Sequence, residues 1–159
     1  LLGLVGSEMC IRDRNNTWHN FEEQDLIKIT QIKQSTSILE LYHGPTAAFK
    51  DFGLQLAAAF FNKTLQTQNK TAIVFGATSG DTGSAAIDAC KDFEVIKSFI
   101  LIPHGNMSEI QRKQMTTVQS PNVHPIIVDG TFDDCQDLVK NGFKQRSFLK
   151  KNQYLAILI

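Results

Sequence analysis

Three apolar runs, "TAIVFGAT" (71–78), "SFILIP" (98–103) and "VHPIIVDG" (123–130), are each followed within a few residues by a segment with helical spacing. Short runs of this kind, bounded by turn residues, read as buried strands. Strand and helix alternating three times constrain the fold strongly, because parallel strands need crossover connections and the crossing helices cover the sheet faces. After the first run come "SGDTG" and "SAAIDACKDF", in which Ala86, Ala89, Cys90 and Phe93 share one helical face. After the second, Ser108 with Gln111 has the spacing of a capping box. After the third, Thr131 and Asp134 offer a cap, and Cys135, Leu138, Val139, Gly142 and Phe143 fall at i, i+3, i+4, i+7 and i+8. The expectation is an α/β fold with a helix-covered parallel sheet.

Upstream, Phe49, Phe52, Leu56 and Phe60 make one helical stripe and Gly53, Ala57 and Phe61 a second, which predicts a helix buried on most sides. Residues 15–39 show no clear period and read as a tail or the end of a missing N-terminal element. "LLGLVGSEMCIRDR" (1–14) has no basic residue ahead of its short apolar part, unlike a signal peptide, and reads as a non-native or artefactual leader. The final "QYLAILI" stops on an apolar run without a cap or turn, so residues 40–159 read as a partial α/β domain, incomplete at both ends of the chain.

Sixteen basic residues balance sixteen acidic ones, which leaves no electrostatic footprint for nucleic acid or an anionic membrane. A small molecule is the expected partner. The longest apolar runs, "FILI" (99–102) and "LAAAFF" (56–61), fall far short of the roughly 20 residues that span a bilayer. Cys10, Cys90 and Cys135 are odd in number and widely spaced, which fits reduced thiols in a cytoplasmic protein better than disulfides or zinc. Cys90 and Cys135 sit on apolar helix faces as core residues. His19, His104 and His124 lack a helical metal-ligand spacing, and no metal site is expected.

In open α/β sheets ligands bind beyond the carboxyl ends of the strands, which is where "GATSGDTGSAA" (76–86) falls. Gly80 and Gly83 would let backbone N–H groups approach an anion, while Ser79 and Thr82 add hydroxyl donors beside a helix N-terminus. Asp81 satisfies the same dipole itself and would repel an anion at close range, so its side chain is expected to point away from one. A glycine-rich turn capped by Asp, with no ligand, explains these residues equally well. The loop matches neither the Walker A nor the GxGxxG pattern.

"HGPTAAFKDFG" (43–53) sets Lys50 between Phe49 and Asp51 at the start of the apolar helix. At pH 7 only about 0.04% of an unperturbed lysine is neutral, so a reactive amine needs partial burial. A snorkelling lysine at a helix start satisfies the same facts. His43 could line a site with Lys50 or simply pack in its loop.

"ELYHGPTAAFKDFGLQ" (40–55) followed by "ATSGDTGSAA" (77–86) resembles the signature pair of the threonine synthases, pyridoxal-phosphate (PLP) enzymes of the tryptophan synthase β-like fold. "PHGNMSEIQRKQM" (103–115) and "VDGTFDDCQDLVK" (128–140) are similar to the family's following stretches. Related PLP enzymes that make cysteine or dehydrate serine share an "SGNTG"-like loop but not "HGPTxAFKDFG". The resemblance implies that Lys50 holds PLP as a Schiff base. It implies that the loop Thr78, Ser79, Gly80, Asp81, Thr82 and Gly83 faces the cofactor, with Thr78, Ser79 and Thr82 meeting the substrate carboxylate. The implied reaction converts O-phospho-L-homoserine and water to L-threonine and phosphate. Where the family commonly has a basic residue after "P-x-G", this chain has Asn106, so Arg112, Lys113 or residues elsewhere would have to meet the substrate phosphate. The loop for the PLP phosphate and the partner of the pyridine nitrogen are expected further along than residue 159. A serine or threonine dehydratase, a cysteine synthase type enzyme and a non-catalytic relative binding a phosphorylated ligand are the alternatives.

Overall fold

The computed structural model describes residues 16–22, 26–105 and 107–144, together with the backbone of 154–158. Residues 1–14 and Asn106, singled out above, lie outside the described residues, as does Cys10. Four strands form a parallel sheet in the order β5-β4-β3-β6: β3 (Thr71–Ala77), β4 (Ile96–Pro103), β5 (Val123–Val128) and β6 (Tyr154–Leu158). The helices are α1 (Lys50–Gln68), α2 (Asp81–Cys90), α3 (Glu109–Thr116) and α4 (Phe132–Lys144).

Side-chain alternation along β3 and β4 divides the core into two layers. Ala72, Val74, Ile96, Ile100 and Ile102 pack with Ala58 and Leu65 of α1, Ile87 and Cys90 of α2 and Met115 of α3. On the opposite face Phe75, Ala77 and Leu101 meet Cys135, Val139 and Phe143 of α4. The sheet is covered on both faces, as the strand–helix alternation predicts, and Cys90 and Cys135 are core residues. Burial pushes the Cys90 thiol up to about 12.

Both predicted caps form. Ser108 Oγ accepts from the Gln111 amide, and Thr131 Oγ1 accepts from the Asp134 amide while Asp134 Oδ2 takes Thr131 N–H at 2.7 Å. That hydrogen bond holds the Asp134 carboxyl below the usual carboxylate range.

Two expectations change. Residues 28–39 of the stretch that showed no period form, with Glu40, an antiparallel hairpin of β1 (Lys28–Lys33) and β2 (Thr36–Glu40) in which Ile29 faces Leu39. Its residues are exposed on both faces except Glu40, so no inward-outward alternation marked it. Ahead of it, Phe21 is buried and its ring meets Phe52 edge-on at 4.9 Å. The 154–158 part of "QYLAILI" is β6, paired in parallel with β3. Finally, α1 is less enclosed than its apolar stripes predict: Asp51, Ala58 and Leu65 are buried, whereas Phe60, Phe61 and, just before the helix, Phe49 are exposed.

Candidate active site

The carboxyl end of β3 runs into the loop at 78–80, and α2 begins at Asp81. Thr78 organises this turn. Its Oγ1 accepts from the amides of Gly80 at 3.1 Å and Gly83 at 3.0 Å and donates to the Gly80 carbonyl at 3.1 Å. Its own N–H donates to the carbonyl of Leu101. The hydroxyl therefore replaces a side-chain cap, which Gly80, at the cap position, lacks. Gly83 is required by contact: a Cβ there would lie 2.2 Å from Thr78 Cγ2 and 2.9 Å from Met115 Sδ. With the Gly83 and Ser84 amides spent on Gly80, the N–H groups of Ser79, Asp81 and Thr82 have no acceptor among the described residues. They open the first turn of α2, a setting that favours an anion.

Lys50 reaches the same place from α1. Together with Ala77, Thr78, Ser79, Gly80, Asp81 and Thr82 it lines a cavity of about 600 Å³. Phe132, Gln136, Val139 and Lys140 of α4 and Gln111 of α3 complete the wall. The Lys50 amine lies over the Phe49 ring, 4.8 Å from its centroid. Phe52, by contrast, turns to the 16–22 segment, where Trp18 Nε1 donates to its carbonyl at 3.2 Å.

Asp51 does not face the amine. Fully buried, its carboxylate accepts from Thr46 N–H at 2.9 Å and from Thr46 Oγ1 at 2.6 Å, which pins the loop leading to Lys50. The loop approaches so closely that a Cβ on Gly44 would stand 2.5 Å from Asp51 Oδ2. Ala47 is held at φ 57°, a conformation that L-residues other than Gly, Asn and Asp seldom adopt.

Cys135, the other free thiol, and His43 fall away from this chemistry. His43 is buried and does not line the cavity; its Nε2 pairs with Glu40 Oε2 at 2.8 Å, because that carboxylate collects its donors at the foot of the hairpin. Thr30 Oγ1, His43 and Tyr42 OH all hydrogen-bond Glu40, with Lys28 Nζ 3.9 Å away. Led by the Thr30 bond, these contacts lower the Glu40 carboxyl to about 2. Arg112 and Lys113 are exposed and absent from the cavity wall, and Lys113 pairs with Glu109 at 2.7 Å. No group of His, Cys, Asp and Glu among the described residues could hold a metal ion, and no described helix is long and apolar enough to cross a membrane.

Sequence reasoning missed Gln111, Gln136 and Lys140 as wall residues. Gln111 had a signal in its capping-box spacing, but nothing in that spacing says that its amide also donates to Asp81 Oδ1, at 2.7 Å. This bond draws the Asp81 carboxylate toward α3 while Asp81 still lines the cavity.

The donor set fits a phosphorylated aldehyde cofactor. It offers a primary amine for the carbonyl, that of Lys50, with a second across the cavity on Lys140, a glycine-lined approach, and free amides and hydroxyls for anionic oxygens. The family model "Pyridoxal-phosphate dependent enzyme" matches residues 28–158. A threonine synthase of Pseudomonas aeruginosa is 43% identical over 141 residues, 89% of this chain and 30% of the relative. A PLP-bound threonine synthase from Brucella melitensis superposes with a TM-score of 0.89 at 36% identity, over 99% of this chain and 35% of that one. The yeast threonine synthase structure gives a TM-score of 0.81 at 41% identity, over 88% and 30%. The chain spans about a third of the length of these relatives. With a lysine amine and a loop of free amides on one cavity, and a family match over residues 28–158, the chain belongs to the pyridoxal-phosphate dependent enzymes.

Proposed function

We propose that the protein is a threonine synthase, converting O-phospho-L-homoserine and water to L-threonine and phosphate. One observation carries the reading: Lys50 and the 78–82 loop, far apart in sequence, line one cavity in a chain 43% identical to a curated threonine synthase. PLP, when bound, supplies the electron sink that lets protons leave the carbons beside the substrate nitrogen.

The chain's own residues do the rest. Lys50 would hold the cofactor through its Nζ, and its amine is the group placed to act as the base that moves the α and β protons. The amides of Ser79, Asp81 and Thr82 and the hydroxyls of Ser79 and Thr82 receive the substrate carboxylate. Thr78 contributes by holding that loop, since its hydroxyl and N–H are already committed, and Gly80 and Gly83 allow the close approach. The γ C–O bond breaks with phosphate taking the electron pair, the γ carbon takes up a proton to become the methyl group, and water delivers hydroxyl to the β carbon while a proton returns to the α carbon. A reduced cytoplasmic compartment suits the buried thiols.

The test is substrate choice by the full-length protein. Phosphate release from O-phosphohomoserine, with no 2-oxo acid from serine or threonine, supports the reading. Oxo-acid release from the free amino acids would make the enzyme a dehydratase, and ligand binding without turnover would make it a non-catalytic relative.

A further inference from the structure

Two segments must be held in register for this site to work: the loop ending at Lys50, and the loop at 78–83. They come from different connections of the sheet, and α3 touches both. Gln114 Nε2 donates to the carbonyl of Thr46 at 3.1 Å, across 68 residues of sequence. One turn earlier, Gln111 Nε2 donates to Asp81 Oδ1 at 2.7 Å, while its Oε1 accepts from Ser108 Oγ at 3.0 Å within the capping box. Between them Met115, fully buried, lies against Gly83 so closely that a Cβ on that glycine would be 2.9 Å from its Sδ.

The Thr46 contact has a further consequence. Thr46 is the residue that Asp51 grips by its N–H and hydroxyl, so Gln114 closes the third polar group of the same residue, immediately before the strained Ala47. A backbone in the left-handed region persists only where its surroundings over-determine it. Releasing the Thr46 carbonyl frees Ala47 to relax toward φ < 0, and the chain from 47 to 50 swings with it. The amine of Lys50 is three residues downstream.

We infer that α3 is the positioning strut of the active site, with Gln114 and Gln111 setting the separation between the Lys50 amine and the anion-binding loop. Neither glutamine is assigned a chemical step, and the inference rests on the functional reading above only for which turnover is measured. The chain offers an internal contrast. Gln55 Nε2 donates to Asp88 Oδ2 at 2.7 Å, joining α1 to α2 by a bond shorter than that of Gln114 to Thr46, and neither residue lines the cavity. If side-chain bonds between these elements matter only for stability, losing the Gln55 bond harms turnover at least as much as losing that of Gln114. If α3 positions the site, it does not.

The experiment compares Gln114→Met, Gln111→Met and Gln55→Met in the full-length protein, since methionine keeps the length and removes the donor. Three quantities are read: thermal stability without PLP, the rate at which borohydride fixes PLP on Lys50, and kcat with KM for O-phosphohomoserine. The strut predicts that Gln114→Met lowers kcat and the fixation rate by about 10- to 100-fold, the scale of a misplacement near 1 Å. Gln111→Met is expected to raise KM, because its target is the loop for the substrate carboxylate. Gln55→Met is expected to shift thermal stability as much as Gln114→Met yet leave all rate constants within about twofold. Equal kinetic effects of Gln55→Met and Gln114→Met, or none from any of them, overturn the inference. Wild-type protein that fails to release phosphate refutes the functional reading alone, because the borohydride comparison still decides whether Gln114 positions Lys50.

Discussion

Removing the Asp51 carboxylate should unpin Lys50 without touching it. Asp51 is wholly excluded from solvent and makes two hydrogen bonds to Thr46, which is itself buried. Hydrogen bonds to a charged group are each worth about 1.5–3 kcal/mol, and a buried donor left without a partner loses its hydration with nothing in return. Asp51→Ala orphans both the Thr46 N–H and the Thr46 hydroxyl. Allowing for non-additivity between bonds to one residue, the expected loss is about 3–4 kcal/mol. Asp51→Asn keeps the shape: its oxygen still accepts from the Thr46 amide, and its amino group donates to Thr46 Oγ1 once that hydroxyl rotates. Only charge assistance is lost, about 1–1.5 kcal/mol. The denaturant midpoint at constant m-value reads the global effect, and deuterium uptake by a peptide covering 42–51 reads the local one. With tenfold per 1.36 kcal/mol, exchange in that peptide should rise by about 150- to 900-fold in Asp51→Ala and by about tenfold in Asp51→Asn. An Asp51→Ala loss below about 1 kcal/mol, or an Asn variant as damaged as the Ala one, refutes the argument that this carboxylate holds the loop by geometry.

Gly83→Ala should abolish PLP binding while far-ultraviolet circular dichroism stays near wild type, because the new methyl meets Thr78 at 2.2 Å and distorts the turn rather than the sheet. Glu40 has its carboxyl lowered from 4.5 to about 2, so its contribution to folding is present above pH 4.5 and is lost as pH falls toward 2. A carbon-detected titration of the Glu40 carboxyl should therefore show a midpoint near 2, and Glu40→Gln should remove the acid-sensitive step in hairpin exchange between these values. Cys90, pushed up to about 12 by burial, should resist iodoacetamide at pH 8 in the folded protein and react fully in denaturant, as read by peptide mass spectrometry.

The parallel sheet was legible because its inner strand β4 packs on both faces: Ile100, Leu101 and Ile102 are all buried, so the apolar signal is continuous, and the following helices announce themselves by period and cap. The hairpin was not legible for the opposite reason. Ile29 and Leu39 on one face and Ile38 on the other are exposed, which erases alternation. α1 misled in a different way, since its apolar residues surround the helix but only the Ala58–Leu65 side meets the sheet layer. At the site, local chemistry left Lys50 and the 78–83 loop open between alternatives, and the resemblance joined them; Lys50 and residues 78–82 line one cavity. Gln111 and Gln114 were not legible, because each acts on a residue that only the fold brings near: Gln111 is 30 positions from Asp81, and Gln114 is 68 from Thr46, while the turn of Asp51 toward Thr46, five positions back, carries no periodic signal.

The central claim is that Lys50 is the cofactor's covalent partner. It is tested most directly by loading the full-length protein with PLP, reducing with borohydride and mapping the modified peptide. The account predicts a pyridoxyl group on Lys50, with no incorporation in Lys50→Ala. A pyridoxyl group fixed on another lysine, such as Lys140 across the cavity, or none in the wild type, would contradict it.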